Sequence, residues 1–305
     1  MKMVNCDFCG GADTTRLYQL RDLKLEIPGE FVLVQCNTCG LLYLNPRPEW
    51  DELQQYYEGY HNYLSVEPVI AAFTRGGQIR RCNLIRSYQP GGRLLDVGCS
   101  SGEFLKAMQR YQSWELYGVE PVTQVAKKAR EQYQLEVFPG MLLESRFPNN
   151  FFNVVTWWDV LEHVPNPSES LRETLRILQP GGWAFIQTPD PYCWEARVFK
   201  SYWIGFDAPR HLFMFPRPVL TRYLENIGFE IVHIGSFAGN FSTACKSLGQ
   251  WLRYNNQERL GVFFLKTANS SIARIITAPI YALFRRINLS FSLLYIVRKP
   301  NSKHL

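Results

Sequence analysis

Two short cysteine pairs carry the plainest chemistry in this sequence. Residues 6–10 read Cys-Asp-Phe-Cys-Gly and residues 36–40 read Cys-Asn-Thr-Cys-Gly, two C-x2-C knuckles with 26 residues between them. Such a knuckle lets two thiolates converge on one ion, and Gly10 and Gly40 free the backbone just after each turn. Cys6, Cys9, Cys36 and Cys39 together offer Zn2+ a closed tetrahedral set with no place for water, so the metal is expected to be structural. Phe31–Gln35 is β-rich, which fits a zinc-ribbon-like module over residues 1–48, too small to fold without metal. The alternative is four reduced cysteines in unrelated turns. A redox pair would want a helix context that nothing here supplies.

A second constellation runs from Leu94 to Phe104, Leu-Leu-Asp-Val-Gly-Cys-Ser-Ser-Gly-Glu-Phe, an apolar strand that breaks into a small-residue turn and opens a helix. The turn residues Gly98, Cys99, Ser100 and Gly102 let a ligand touch backbone, beyond the carboxyl ends of the strands where open α/β sheets bind ligands. Glu120 ends the next strand, where a carboxylate can accept hydrogen bonds from both hydroxyls of a ribose. These features alone also admit a dinucleotide dehydrogenase. However, the full G-x-G-x-x-G that serves a pyrophosphate is missing, and Asp96, just before the turn, suits an ammonium rather than a phosphate. A nucleoside joined to an amino acid answers both, and S-adenosylmethionine is such a molecule. At the end of a later strand, Trp157-Trp158-Asp159-Val160-Leu161-Glu162-His163 offers Trp158 as an aromatic face for a cation and Asp159 beside it. A core aromatic is the plain alternative for Trp158.

These groups need a frame, and from Gly91 onward the pattern supplies one. Apolar runs alternate with amphipathic helices, the signature of a mostly parallel sheet. Strands are expected at 93–99, 115–120, 136–138, 152–158, 183–188 and 230–234, with a closing strand at 291–297. Helices are expected at 101–110, through Tyr133, at 168–178 and at 217–226. The fold class is therefore α/β, a Rossmann-like seven-stranded sheet with an N-terminal zinc ribbon and a helical insertion before the last strand. The expected organisation is 1–48 ribbon, 49–90 helical linker or lid, 91–239 with 289–300 main domain, and 240–288 insertion. Tyr56, Tyr57, Tyr60, His61 and Tyr63 in the aromatic stretch Trp50–Ser65 either lid a site or pack between module and main domain.

Composition is that of an ordinary globular protein, 46% hydrophobic and 20% charged, which excludes a disordered chain. Residues 1–5 lack a secretory core, and no apolar run reaches the roughly 18 residues of a spanning helix. A cytoplasmic protein is expected. The net charge of +6 is uneven: from Trp251 onward nine Lys and Arg face one acid, Glu258. That basic segment points to an anionic neighbour or to a solvated basic face.

Taken in order, Leu94–Phe104, Gly118-Val119-Glu120-Pro121, Phe151–Pro167 and Pro209-Arg210-His211-Leu212 resemble the motifs of class I S-adenosylmethionine-dependent methyltransferases related to the bacterial ubiquinone O-methyltransferases. The resemblance spans about residues 90–235. The zinc module followed by Asn45-Pro46-Arg47-Pro48 resembles bacterial methyltransferases of polysaccharide, sugar and secondary-metabolite pathways. By position, the resemblance implies that Asp96, Gly98 and Gly102 line the methionine part of S-adenosylmethionine, Glu120 binds its ribose, and Met141 and Leu142 flank adenine. Ser100 departs from the pattern, standing where many relatives have a second glycine. Asp159, Glu162 and His163 resemble the E-x-x-E-H set with which some quinone O-methyltransferases hold a divalent ion, with Asp in place of the first Glu; the alternative is a loop held by hydrogen bonds. Methyl transfer by in-line displacement asks the protein to align the acceptor and strip its proton. His211 and His163, in loops expected at the carboxyl edge of the sheet, are the candidate catalytic bases.

The acceptor implied is a small molecule, a saccharide or a lipid-linked substrate, methylated on oxygen or carbon. Nucleic-acid bases are disfavoured because no Asn-Pro-Pro-Tyr follows the fourth strand. The rival enzyme is a zinc-module RNA methyltransferase, against which stands a ribbon without a Lys/Arg cluster; the rival of another class is a non-catalytic cofactor-fold scaffold. In the insertion, Ile272, Ile275, Ile276, Ile280, Leu283, Phe284 and Ile287 form a helical stripe, with Arg274, Arg285 and Arg286 among the other positions and Pro279 as a kink. It covers the substrate pocket, forms a homodimer contact or lies peripherally on a membrane.

Overall fold

The computed structural model describes residues 1–57, 68–237, 241–268, 270–287 and 289–301. Tyr60, His61 and Tyr63 of the aromatic stretch, and Asn240 and Asn288 at the ends of the insertion, lie outside the described residues. The chain forms two compact units: Ile70–Gln187 with Thr221–Ile234 and Leu294–Leu305, and Met1–Val69 with Thr188–Leu220 and Gly235–Leu293.

The first of these is built on the expected seven-stranded sheet. In chain order its strands are β4 (Gly92–Val97), β5 (Trp114–Glu120), β6 (Glu136–Pro139), β7 (Phe152–Trp158), β8 (Leu178–Pro189), β10 (Glu230–Ser236) and β11 (Ser292–Arg298). Their order across the sheet is β10-β11-β8-β7-β4-β5-β6. The pairs β4/β5, β4/β7, β5/β6 and β7/β8 are parallel. At one end of β11 the Gly181 N–H donates to the Lys299 carbonyl, and at the other the Asp190 N–H donates to Phe291, so β11 runs against β8. Leu94, Leu95, Asp96 and Val97 are buried in succession. Such a run marks a strand covered on both faces, as a parallel sheet requires. The fifth strand starts earlier than the pattern suggests, at Leu178, because Pro180-Gly181-Gly182 is taken up as an irregularity in its pairing with β7.

Between these strands lie α2 (Pro68–Tyr88) ahead of β4, α3 (Glu103–Met108), α4 (Thr123–Tyr133), α5 (Pro167–Ile177) and α7 (Arg217–Ile227). Helix α5 opens with Pro167 at its first turn, where a missing N–H costs nothing, and buries Leu171, Thr174 and Ile177. Its Thr174 hydroxyl accepts the Trp157 indole N–H at 3.2 Å, which lets a fully buried tryptophan satisfy its one polar atom.

The second unit contains a four-stranded sheet in the order β1-β2-β3-β9, from Thr14–Leu20, Phe31–Cys36, Leu42–Leu44 and Phe213–Met214. The first three strands lie inside the cysteine module. The fourth arrives about 170 residues later and pairs antiparallel with β3 through Tyr43 and Phe213. Leu20, Phe31, Leu33, Leu42 and Leu44 share a core with Tyr56 of α1 (Trp50–Tyr57), Ala196 of α6 (Trp194–Phe199), and Trp203, Phe206 and Met214. The insertion is helical as expected: α8 (Phe241–Tyr254), α9 (Glu258–Thr267) and α10 (Ser271–Arg286).

A charge cluster centred on a fully buried arginine ties this unit together. Arg210 pairs with both oxygens of Asp22 at 2.6 and 3.0 Å, with Asp207 at 2.7 Å, and with the Tyr56 carbonyl at 3.1 Å. Lys24 reaches the other Asp207 oxygen at 2.6 Å. Burial alone would raise the Asp207 pKa, but the charges of Lys24 and Arg210, with His211 beside them, hold it well below the usual carboxylate range. A carboxylate so depressed stabilises the fold above its unfolded pKa, and that contribution is lost as pH falls toward the folded value. Arg210→Met would leave two buried carboxylates short of their partner. We expect it to destabilise the protein by about 3–5 kcal/mol in urea unfolding at neutral pH, and a change of less than about 1 kcal/mol, the range of an exposed pair, would refute this role.

Candidate functional site

The carboxyl ends of β4, β5, β6 and β7 deliver the expected residues to one edge of the seven-stranded sheet. Asp96 is side by side with Gly118 of β5 and Thr156 of β7. It is buried, and the Thr156 hydroxyl donates to its Oδ1 at 2.7 Å. Burial pushes its pKa up to about 7, against the Thr156 hydrogen bond and the charge of Arg81 and with the help of Glu120.

The turn after β4 needs left-handed backbone three times, at Gly98 (φ 67°), Ser100 (φ 50°) and Gly102 (φ 83°). A Cβ on Gly98 would come within 2.6 Å of Val160, so packing as well as φ demands glycine there. The backbone at Ser100 shows why glycine suits this position in the family pattern: it is a conformation that glycine adopts without strain. The turn holds the strained shape because Glu120 grips it. The Ser100 N–H donates to Glu120 Oε2 and the Val122 N–H to Oε1, each at 2.9 Å. Glu120 thus already organises the loop, and each oxygen keeps a further lone pair for a ligand. Burial raises its pKa against those two hydrogen bonds. The Cys99 thiol is buried and lies where a Gly118 side chain would be. After β6, Met141 caps a short helical turn, Leu142–Glu144, its N–H donating to the Glu144 carboxylate, with Leu142 buried.

At the end of β7, Trp158 does meet a cation, but one from the chain itself. The Arg81 guanidinium of α2 sits 4.6 Å from the Trp158 ring centroid, donates to Asp159 Oδ2 and to Gln187 Oε1 at 3.2 Å each, and so links three strand-end residues. Gln187 in turn donates to both Asp159 oxygens. Sequence reasoning missed Arg81: an arginine within a long helix has no spacing rule that aims it at a strand end. Glu162 and His163 follow in the same loop, Glu162 fully buried and His163 partly.

His211 is buried, with its ring held from one side. It belongs to the other unit, in the loop that enters β9 of the small sheet. Its Nδ1 lies 2.8 Å from the Gly205 carbonyl, which can only accept, so Nδ1 carries hydrogen. In the neutral ring Nε2 is then the basic atom, 3.8 Å from Asp207.

The four cysteines of the N-terminal module converge as their spacing requires. The Sγ atoms all lie within 4.8 Å of one another, with Cys6 to Cys39 at 3.4 Å and Cys9 to Cys36 at 3.5 Å, and none is in a disulfide. Tetrahedral Zn–S bonds of about 2.3 Å put sulfurs about 3.8 Å apart, so the donor set fits the ion. The Gly10 and Gly40 N–H groups close the knuckles on the carbonyls of Cys6 and Cys36. Burial works against ionisation of Cys36, but backbone N–H groups of Thr38 and Cys39 and the Cys9 thiol prevail and bring its pKa down to about 7.

Comparison with known proteins agrees with this geometry. Residues 79–234 match the family described as Methyltransferase domain. A ubiquinone biosynthesis O-methyltransferase from Burkholderia pseudomallei is 25% identical over 171 residues, 50% of this chain and 70% of the relative. Its counterpart from Azoarcus is 26% identical over 182 residues, 52% of this chain and 73% of the relative. The crystal structure of a SAM-dependent methyltransferase from Archaeoglobus fulgidus superposes with a TM-score of 0.50 at 21% identity, covering 73% of this chain and 92% of the other. With a glycine turn gripped by a strand-end glutamate and a family match over half its length, the chain belongs to the class I S-adenosylmethionine-dependent methyltransferases, built on their Rossmann-like sheet.

Proposed function

We propose that this enzyme methylates oxygen or carbon of a small-molecule, saccharide or lipid-linked acceptor, and that its four-cysteine module holds one structural zinc ion. The observation that carries the reading is the pair of buried carboxylates, Asp96 and Glu120, at the ends of adjacent parallel strands on either side of the glycine turn. When bound, S-adenosylmethionine supplies an electrophilic methyl group on sulfur. Glu120 accepts from the ribose hydroxyls through its remaining lone pairs, and ionised Asp96 meets the ammonium of the methionine part. Gly98, Cys99, Ser100 and Gly102 present backbone, Met141 and Leu142 bound the adenine, and Trp158 and Asp159 close the strand-end side. Arg81 holds these last two in place. For the acceptor proton we assign His211, whose Nε2 is left basic by its hydrogen bond to Gly205, with His163 as the second candidate.

Three outcomes test this reading. Metal analysis of the purified protein should find one zinc per chain, and Cys36→Ser should release it and lower the unfolding temperature; metal-free protein of unchanged stability would end the assignment. In titration calorimetry Glu120→Ala should weaken S-adenosylmethionine binding by roughly 1–3 kcal/mol, while tight NAD binding without any response to S-adenosylmethionine would reverse the choice of cofactor. The third outcome follows from the raised Asp96 pKa. Below about pH 7 the carboxyl is protonated and cannot pair with an ammonium, so affinity should climb between about pH 6 and about pH 8 and the climb should disappear in Asp96→Asn. An unaltered pH profile in that variant would remove Asp96 from the ammonium site.

A further inference from the structure

Helix α10 is amphipathic in the reverse sense. Its mixed face is the one turned to the protein: Tyr281 is buried, Ala273, Arg274, Thr277 and Phe284 are partly covered, and Phe284 packs on Trp194 with ring centroids 5.5 Å apart. The apolar stripe faces outward. Ile272, Ile275, Ile276, Ile280, Leu283 and Ile287 are each between 52% and 72% exposed, and Pro279 lies on the same face. Single exposed apolar residues are ordinary, but a continuous row of six on one helix face marks a surface made to be covered. On α9, Leu260 and Phe263 are also more than half exposed.

Charge decides between covers. From Phe241 to Ile287 the sequence holds seven Lys and Arg and one acid, Glu258. Arg259, Lys266 and Arg286 are exposed, and Arg286 adjoins the stripe between Leu283 and Ile287. A second copy packed through the same face would bring the same cations together, which an isologous contact cannot avoid. An anionic bilayer surface offers the opposite charge and takes aliphatic side chains below its headgroups. The helix is 16 residues long, about 24 Å, and among the described residues no helix is long and apolar enough to cross a membrane. We propose that α10 lies in the headgroup region of an anionic lipid bilayer, its isoleucine stripe inserted and Arg259, Lys266 and Arg286 on phosphate, making this a methyltransferase that works at a membrane surface. The inference does not depend on which acceptor is methylated.

Flotation of the full chain with vesicles of phosphatidylcholine alone, and of equal parts phosphatidylglycerol and phosphatidylcholine, tests it. Binding should be at least about tenfold tighter to the anionic vesicles. Ile275→Asp with Ile276→Asp should abolish it, and Arg259→Glu with Lys266→Glu and Arg286→Glu should weaken it about tenfold or more, with circular dichroism and S-adenosylmethionine binding unchanged because these side chains are exposed. Absence of vesicle binding overturns the proposal. So does binding that survives the aspartate variant, which would be plain charge attraction, and so does a dimer in light scattering that the aspartate variant dissociates without any vesicle binding.

Discussion

A guanidinium without solvent exposure can persist only where carboxylates surround it, and the second unit is arranged around that demand. Arg210, Lys24, Asp22 and Asp207 balance two positive charges with two negative ones, so no net charge is buried. The cluster joins chain segments near residues 22, 56 and 210, which no local element could bring together. Its neighbours extend the tie. The Asp22 carboxylate also accepts the backbone N–H groups of Lys24 and Leu25, and Gln250 of α8 donates to the Leu23 carbonyl. The insertion helices therefore hold to a loop whose shape the ion cluster sets. Fork geometry is what makes arginine suitable here, since the three N–H donors of a lysine could not supply the five hydrogen bonds that Arg210 makes to Asp22, Asp207 and the Tyr56 carbonyl.

The seven-stranded unit solves a different problem, that of keeping carboxylates ionisable inside a sheet edge. Glu120 does so with backbone N–H groups and spends its hydrogen bonds on shaping the turn. Asp96 has one hydroxyl and a neighbouring carboxylate, and rises toward neutrality for lack of more. The same residues thus shape the loop and tune its charge. Arg81 plays the corresponding part on the β7 side, where one guanidinium neutralises Asp159, bonds Gln187 and covers Trp158.

Much of this was legible in the sequence because it rests on local pattern. Alternating apolar runs located the strands of the large sheet to within a few residues, and the paired C-x2-C knuckles named the ligand set that the structure brings together. The Leu94–Phe104 turn and Glu120 were readable as a unit because their separation matches one strand-helix-strand crossover. What escaped depends on distance along the chain. Nothing in the neighbourhood of Asp22 announces a partner 188 residues away, and nothing around Phe213 and Met214 says that this two-residue strand completes a sheet begun at Thr14. Pro209-Arg210-His211-Leu212 could be matched as a motif, but that the chain after it runs into the fourth strand of the small sheet follows from tertiary pairing alone. The outward isoleucines of α10 show the same limit: periodicity reveals a stripe, not the side it faces.

The shared core of the second unit also has a consequence during synthesis. Strands β1 to β3 leave the ribosome well before Trp203, Phe206 and Met214, against which they pack and which are translated about 170 residues later. At 5–20 residues per second the wait is roughly 10 to 30 seconds. In that interval Phe31, Leu33, Leu42 and Leu44 have no permanent cover, and Asp22 has no guanidinium. The knuckles and the β1-β2-β3 pairing can close early, because all four thiols and these strands lie within residues 6–44. The cysteine module is thus made well ahead of the residues that complete its core, which gives chaperones a reason to linger on it.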